Sequence, residues 1–194
     1  MNWQAGLDGL LMLVALWAAL GPARAMPAAQ LACVVFAAAA LLGTLRFSGL
    51  LPLPQLHMFA SALGASVAMP LLAATVLWPQ CVVARERQFA WILAVALAVL
   101  FVLAGVVAGF KWWSPAWAVL SATAIIAAAV ARRQTLALAA GLAMLTAFAL
   151  FAAQASWGDW RPGEFLHLGL ALGLWLIARQ LTVFNRSYSG SGAS

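Results

Sequence analysis

Seven stretches of this chain are almost continuously apolar, and its polar residues collect in the breaks between them. The stretches are 3–20, 27–45, 54–78, 89–110, 113–131, 135–155 and 164–184. Crossing a bilayer core as helix takes about 20 apolar residues, with about 17–25 as the usual range, and each stretch matches that length. None alternates apolar and polar residues with the period of two that a half-buried strand requires. The breaks carry turn chemistry: Gly21-Pro22, Pro52 with Pro54, Ser114-Pro115 and Arg161-Pro162-Gly163. Proline and glycine interrupt helices because one lacks an N–H and the other is conformationally loose. Arg85-Glu86-Arg87 and Arg132-Arg133 are charged connections. The pattern predicts an all-α integral membrane protein, a bundle of seven transmembrane helices forming one domain over residues 1–186. Residues 187–194 are expected to be a flexible tail or linker.

Composition strengthens this reading. Hydrophobic residues make up 66% of the chain and charged residues 7%, and the mean hydropathy is +1.03. Soluble domains carry about 25% charged residues, so this chain lacks the polar surface that water demands. The formal charge of +6 raises the idea of a polyanion. However, the basic residues stand singly or in pairs at the ends of apolar runs, so no nucleic-acid partner is expected. Residues 10–20 followed by Ala23-Arg24-Ala25 have the outline of a signal peptide. Asp8 precedes them where such a peptide carries Lys or Arg, so the segment is read as a retained first helix. Cys33 and Cys81 form no C-x-x-C motif and are read as small apolar fillers.

Loop charges give the direction of threading, since cytoplasmic loops are enriched in Lys and Arg. With the N-terminus outside, Arg24, Arg85, Arg87, Arg132, Arg133, Arg179 and Arg186 fall on the inner side, and Arg46, Lys111 and Arg161 on the outer side. Seven against three predicts an N-terminus outside and a C-terminus in the cytoplasm, in a multi-pass protein of the cell membrane (the inner membrane, in a bacterium). Trp3, Trp112, Trp113, Trp157 and Trp160 then form an outer aromatic belt. Gly105-x-x-x-Gly109 and Gly169-x-x-x-Gly173 are small-residue motifs that let membrane helices approach closely. Packing of this kind also leaves room for a homo-oligomer.

This threading brings Asp8, Arg46, His57, Asp159, Arg161, Glu164 and His167 to one bilayer face. Ionisable groups in a membrane are costly and mark function. Asp8 lies about one and a half turns into the first helix, and His57 about one turn into the third. Ser61 follows His57 by one turn on the same face, and Glu164 and His167 share a face of the seventh. Imidazole nitrogen and carboxylate oxygen are good zinc donors, and a catalytic zinc keeps one position for water. His57, His167 and Glu164 are thus candidate metal ligands, with Asp8 able to join the same pocket. Asp8, Ser61 and Glu164 are candidate catalytic groups, the carboxylates as bases and the serine as an oxyanion donor. Arg46 and Arg161 are candidates for holding an anionic headgroup. Against this stands structural packing: a carboxylate at a helix start, as at Glu164, is stabilised by the helix dipole alone.

Seven helices with an outside N-terminus, together with His57, Ser61, Glu164 and His167, resemble the alkaline ceramidase-like membrane hydrolases of the CREST superfamily. That family carries H-x-x-x-H in its last helix and a serine four residues before its early histidine. Here the corresponding segments are Glu164-Phe165-Leu166-His167 and a serine four residues after His57. The resemblance implies a histidine-bound zinc and hydrolysis of an amide or ester bond in a lipid. Other readings stay open: binding or transport of a small or lipid-like ligand, a b-type haem held by His57 and His167, and a scaffold subunit without chemistry.

Overall fold

The computed structural model describes residues 3–189, with side chains as far as 185. Of the tail expected over 187–194, residues 190–194 lie outside the described residues. Seven helices are long and apolar enough to cross a membrane: α1 (Trp3–Leu20), α2 (Pro27–Phe47), α3 (Pro54–Leu77), α4 (Arg87–Val107), α5 (Trp113–Ala131), α6 (Thr135–Ala152) and α7 (Pro162–Ser189, its apolar span ending at Asn185). A single helical turn, Val82–Arg85, joins α3 to α4. No strand occurs among the described residues; the one bridge, Trp157 with Trp160, closes the α6–α7 turn.

Local chemistry sets the ends. Proline opens α2, α3 and α7, where its missing N–H costs nothing because first-turn donors have no intrahelical partner. At the far end of α5, Gln134 N–H donates to Ala129 O (2.8 Å) and Arg133 N–H to Val130 O (3.2 Å), with Arg133 in the left-handed region (φ 55°). Gln154 (φ 51°) ends α6 the same way, with Ala155 N–H donating to Leu150 O and its own N–H to Phe151 O. Both ends are Schellman caps, each with a side chain where glycine is usual. Helix α6 consequently stops three residues short of the apolar run.

In the middle of α3 the hydrogen-bond ladder widens over Gly64–Ala68, and Met69 N–H reaches back to Gly64 O. Pro70 explains this local π-turn. Its ring cannot donate to Ser66 O and crowds that carbonyl, so the ladder shifts to the wider i→i+5 step.

Helix α1 packs on α2 and α7, α2 on α3, α3 on α5, α5 on α6, and α6 on α7. Six helices therefore close into a ring. Helix α4, the most apolar and least buried of the seven, leans on α2 and α3 from outside. Glycines bring ring members together: a Cβ on Gly169 would collide with Ala147 of α6, and one on Gly173 would stand 2.6 Å from Met144 Cγ. The other small-residue motif behaves differently. Gly109 has open space around it and terminates α4 with φ +67°, and Gly105 faces the Phe101 ring of its own helix. The motif on α7 is the tight helix–helix contact of the two, for at Gly105 the neighbouring helix comes no nearer than Trp113 Cβ at 3.8 Å.

The ring is solid at one end and hollow at the other. Leu72 and Val76 of α3, Ile125 of α5, and Leu174 and Ile177 of α7 are fully buried, and all belong to the half remote from Trp3. The opposite half, at the N-terminal end of the bundle, encloses a cavity of about 720 Å³.

Candidate functional site

Asp8 projects into this cavity from α1, His57 and Ser61 from α3, and His167 from α7, while Arg46 and Arg161 line it from the ends of α2 and the α6–α7 turn. Its remaining wall is mostly apolar and includes Phe36, Met69, Phe148 and Leu170. Six residues scattered from position 8 to position 167 thus share one chamber because four helices and the α6–α7 turn carry them to it.

The closest polar approach is between Asp8 and His167: Nδ1 of the ring stands 3.2 Å from Oδ1 of the carboxylate. Asp8 is 1% exposed and His167 14%. The contact is electrostatic rather than an aligned hydrogen bond, for Asp8 Oδ1 and Oδ2, His57 Nδ1 and His167 Nδ1 all lack a hydrogen-bond partner. Leaving one such buried group unsatisfied costs about 1–3 kcal/mol, more when it is charged. Asp8 Oδ1 and His167 Nδ1 have only each other, off line, while Asp8 Oδ2 and His57 Nδ1 have no hydrogen-bond partner, and together they make the polar pole of the chamber.

Neighbouring backbone makes this pole possible. Gly43 on α2 lies directly against Asp8, and a Cβ there would sit 2.5 Å from Oδ2. The carboxylate fits only because position 43 carries no side chain. His57 is held by the edge of the Phe47 ring (centroids 5.5 Å apart, planes at 79°) and reaches the backbone of Ala39. Arg46 folds its guanidinium over the same ring, 4.9 Å from the Phe47 centroid, a cation–π contact that orients it at the rim.

Glu164 departs from the expected ligand set. Its Oε2 accepts a hydrogen bond from Arg161 N–H at 2.8 Å. It is buried at the third position of α7, and it is absent from the cavity wall. This is half of a capping box, in which a glutamate satisfies the donor at the start of its own helix. Sharing a face with His167 does not bring it to His57. Asp8 is instead the carboxylate beside the histidines. Among the described residues, no group of three or more His, Cys, Asp or Glu stands close enough to hold a metal ion. The donor types suit zinc, yet their placement does not form a three-ligand set.

Gln4 and Gln154 also line the cavity and were not among the expected site residues. Gln4 had a signal, being one turn before Asp8 on the same face of α1. Gln154 had none, because its place depends on the early end of α6. Asp159 remains on the exposed turn between Trp157 and Trp160. Compared with protein-family models, curated proteins and solved structures, the chain matches none.

Proposed function

We propose that this chain is a multi-pass protein of the cell membrane, with its N-terminus outside, that binds a lipid-like molecule in the cavity between α1, α3 and α7. The observation that carries this reading is the gathering of Asp8, His57 and His167, four of whose buried polar atoms have no aligned hydrogen bond, in a mostly apolar chamber of about 720 Å³. Ligand sites of roughly 300–1,000 Å³ combine an apolar wall with a few convergent polar groups in this way. The apolar wall accepts a hydrocarbon chain, the pole accepts a headgroup, and Arg46 with Arg161 favours an anionic portion of that headgroup. Native mass spectrometry of the protein released from lipid nanodiscs tests the reading. A single lipid-sized adduct is expected on the wild type and loss of most of it on Asp8→Asn and on His167→Ala. Equal adducts on all three proteins would refute it.

A second reading, hydrolysis of an acyl bond in the bound lipid, is favoured by the 3.2 Å approach of Asp8 to His167. In it His167 takes a proton from water as hydroxyl oxygen attacks the acyl carbon, and Asp8 stabilises the imidazolium. Ser61 donates a hydrogen bond to the oxyanion, and the imidazolium returns its proton to the leaving group. General acid–base catalysis contributes about 10²–10⁴-fold. Release of fatty acid from phospholipid vesicles should therefore fall by about that factor on His167→Ala, and an unchanged rate removes hydrolysis while leaving binding intact. Elemental analysis and a visible spectrum of the same sample test the two cofactors. One zinc per chain supports the metal-assisted form of this hydrolysis, and a Soret band supports a haem on His57 and His167.

A further inference from the structure

The wall of the cavity is incomplete: Gln154 and Arg161 line it at the end of the bundle and are exposed, and a second gap lies on one side. Of the α3 residues that line it, Met58 is 59% exposed and Ser61 is exposed as well. Pro115 at the start of α5 and Phe151 at the end of α6 line it too, and both are exposed. These four stand in the first ten residues of α3 and on the facing ends of α5 and α6. The packing explains the gap. The segment Pro54–Leu63 packs chiefly against α2, whereas the contacts of α3 with α5 come from its π-turn and from Met69–Leu77 below it. The upper part of α3 thus leans away from α5 and α6, and the divergence begins at the π-turn Gly64–Ala68. Two features make that turn a joint. Pro70 breaks the regular ladder, and Ser66 Oγ, within the turn, lies 2.9 Å from Ser114 Oγ of α5, pinning the turn to α5 while Pro54–Leu63 above it is held from the side of α2 and α4, by the Phe47–His57 and Phe59–Phe101 ring contacts. Wide turns of this type inside helices recur at functional sites.

We infer that the cavity is loaded sideways from the bilayer, through the gap between Pro54–Leu63 of α3 and the facing ends of α5 and α6, and that the π-turn is the hinge on which this gap opens. The occupant is accordingly a lipid resident in the membrane rather than a solute taken from water. This rests on the cavity being a lipid site and adds the route and the moving part. The gap bears Met58 and Phe151, apolar side chains suited to a passing hydrocarbon chain, and Ser61 lies one turn from His57 on the same face of α3.

The test is photolabelling in vesicles of phosphatidylethanolamine and phosphatidylglycerol, with a diazirine near the end of an acyl chain and the labelled residues mapped by mass spectrometry. Leu170 and Met69 are 7% and 0% exposed and face the cavity, so a bilayer chain reaches them only from inside. Labelling of both is expected, alongside labelling of Val95 and Val99 on the exposed face of α4. Ser61→Trp, which narrows the gap, should lower the interior labels at least fivefold while the α4 labels persist as a control for folding and insertion. Pro70→Ala, which restores the missing N–H, should lower them at least twofold by straightening the joint. Interior residues left unlabelled in the wild type, or labelled as strongly in Ser61→Trp, would overturn the side entrance. Interior labels unchanged in Pro70→Ala would overturn the hinge. If the interior stays unlabelled while a water-soluble short-chain acyl phosphate still binds in an Asp8-dependent way, the route is wrong and the cavity reading survives.

Discussion

A methyl group added at Gly43 would stand 2.5 Å from Asp8 Oδ2, so the position of the carboxylate depends on an absence on the neighbouring helix. Gly43→Ala is expected to push Asp8 off His167 and to lose the lipid adduct as Asp8→Asn does, at a stability cost of about 1–3 kcal/mol for the overpacked contact. Gly6→Ala, with nothing within 4 Å of its added carbon, should alter neither; native mass spectrometry with thermal unfolding in detergent reads both effects. Glu164 supplies the opposite contrast. Because its carboxylate caps α7 through Arg161 N–H, Glu164→Ala should lower stability by about 0.5–2 kcal/mol and leave the adduct in place. Loss of the adduct at unchanged stability would return Glu164 to the site. At this scale, Asp8, His57 and His167 were legible in the sequence because a polar residue inside an apolar run is conspicuous. The contribution of Gly43 was not, since nothing in a list of residues shows which glycine faces which carboxylate. The capping bond of Glu164 was not legible either, because a shared helix face fixes direction but not the partner that a carboxylate finds.

Helices were legible from the length of apolar runs, and their ends less so, because the ends depend on hydrogen bonds that hydropathy does not report. The α6 run continues apolar to Ala155, yet Gln154 adopts a left-handed conformation and the helix closes at Ala152. The widened ladder in α3 had a visible cause in Pro70, but its consequence, the leaning upper segment, emerged only from which helices pack together. Arg132 read as a topology signal; in the fold it also donates to Val76 O and Leu77 O, satisfying the final carbonyls of α3. Arg132→Ala should therefore cost roughly 1 kcal/mol, a modest figure because the side chain is exposed. Arg132→Lys should recover only part of this, since one ammonium does not serve two carbonyls as a planar guanidinium does. Gly169→Val should weaken the α6–α7 contact by about 1–3 kcal/mol or more, whereas Gly163→Val, whose added carbon meets nothing, should not. Equal unfolding temperatures for these two glycine variants would contradict the close approach of α7 to α6.

Across the whole molecule, six helices form a ring that is packed solid over one half and hollow over the other, with α4 outside. An odd number of spans puts the two ends of the chain on opposite faces. In the proposed orientation, which rests on the seven-to-three distribution of basic residues, the hollow end faces outward. Reporter fusions after Arg133 and at Ser194 are both expected to be cytoplasmic, and a fusion in the α6–α7 turn external. Opposite results from the first two would break the seven-span count on which the depth of the polar pole depends. The ring itself was not legible, because hydropathy orders helices along the chain and not around an axis. The most direct measurement of the central claim is an experimental map of the protein in a lipid nanodisc, inspected between Asp8 and His167. The predicted result is elongated density in the chamber, with its polar end within hydrogen-bond distance of both side chains and its tail along Phe148 and Leu170. A chamber collapsed onto itself, with Asp8 and the two histidines satisfied by protein groups alone, would contradict it.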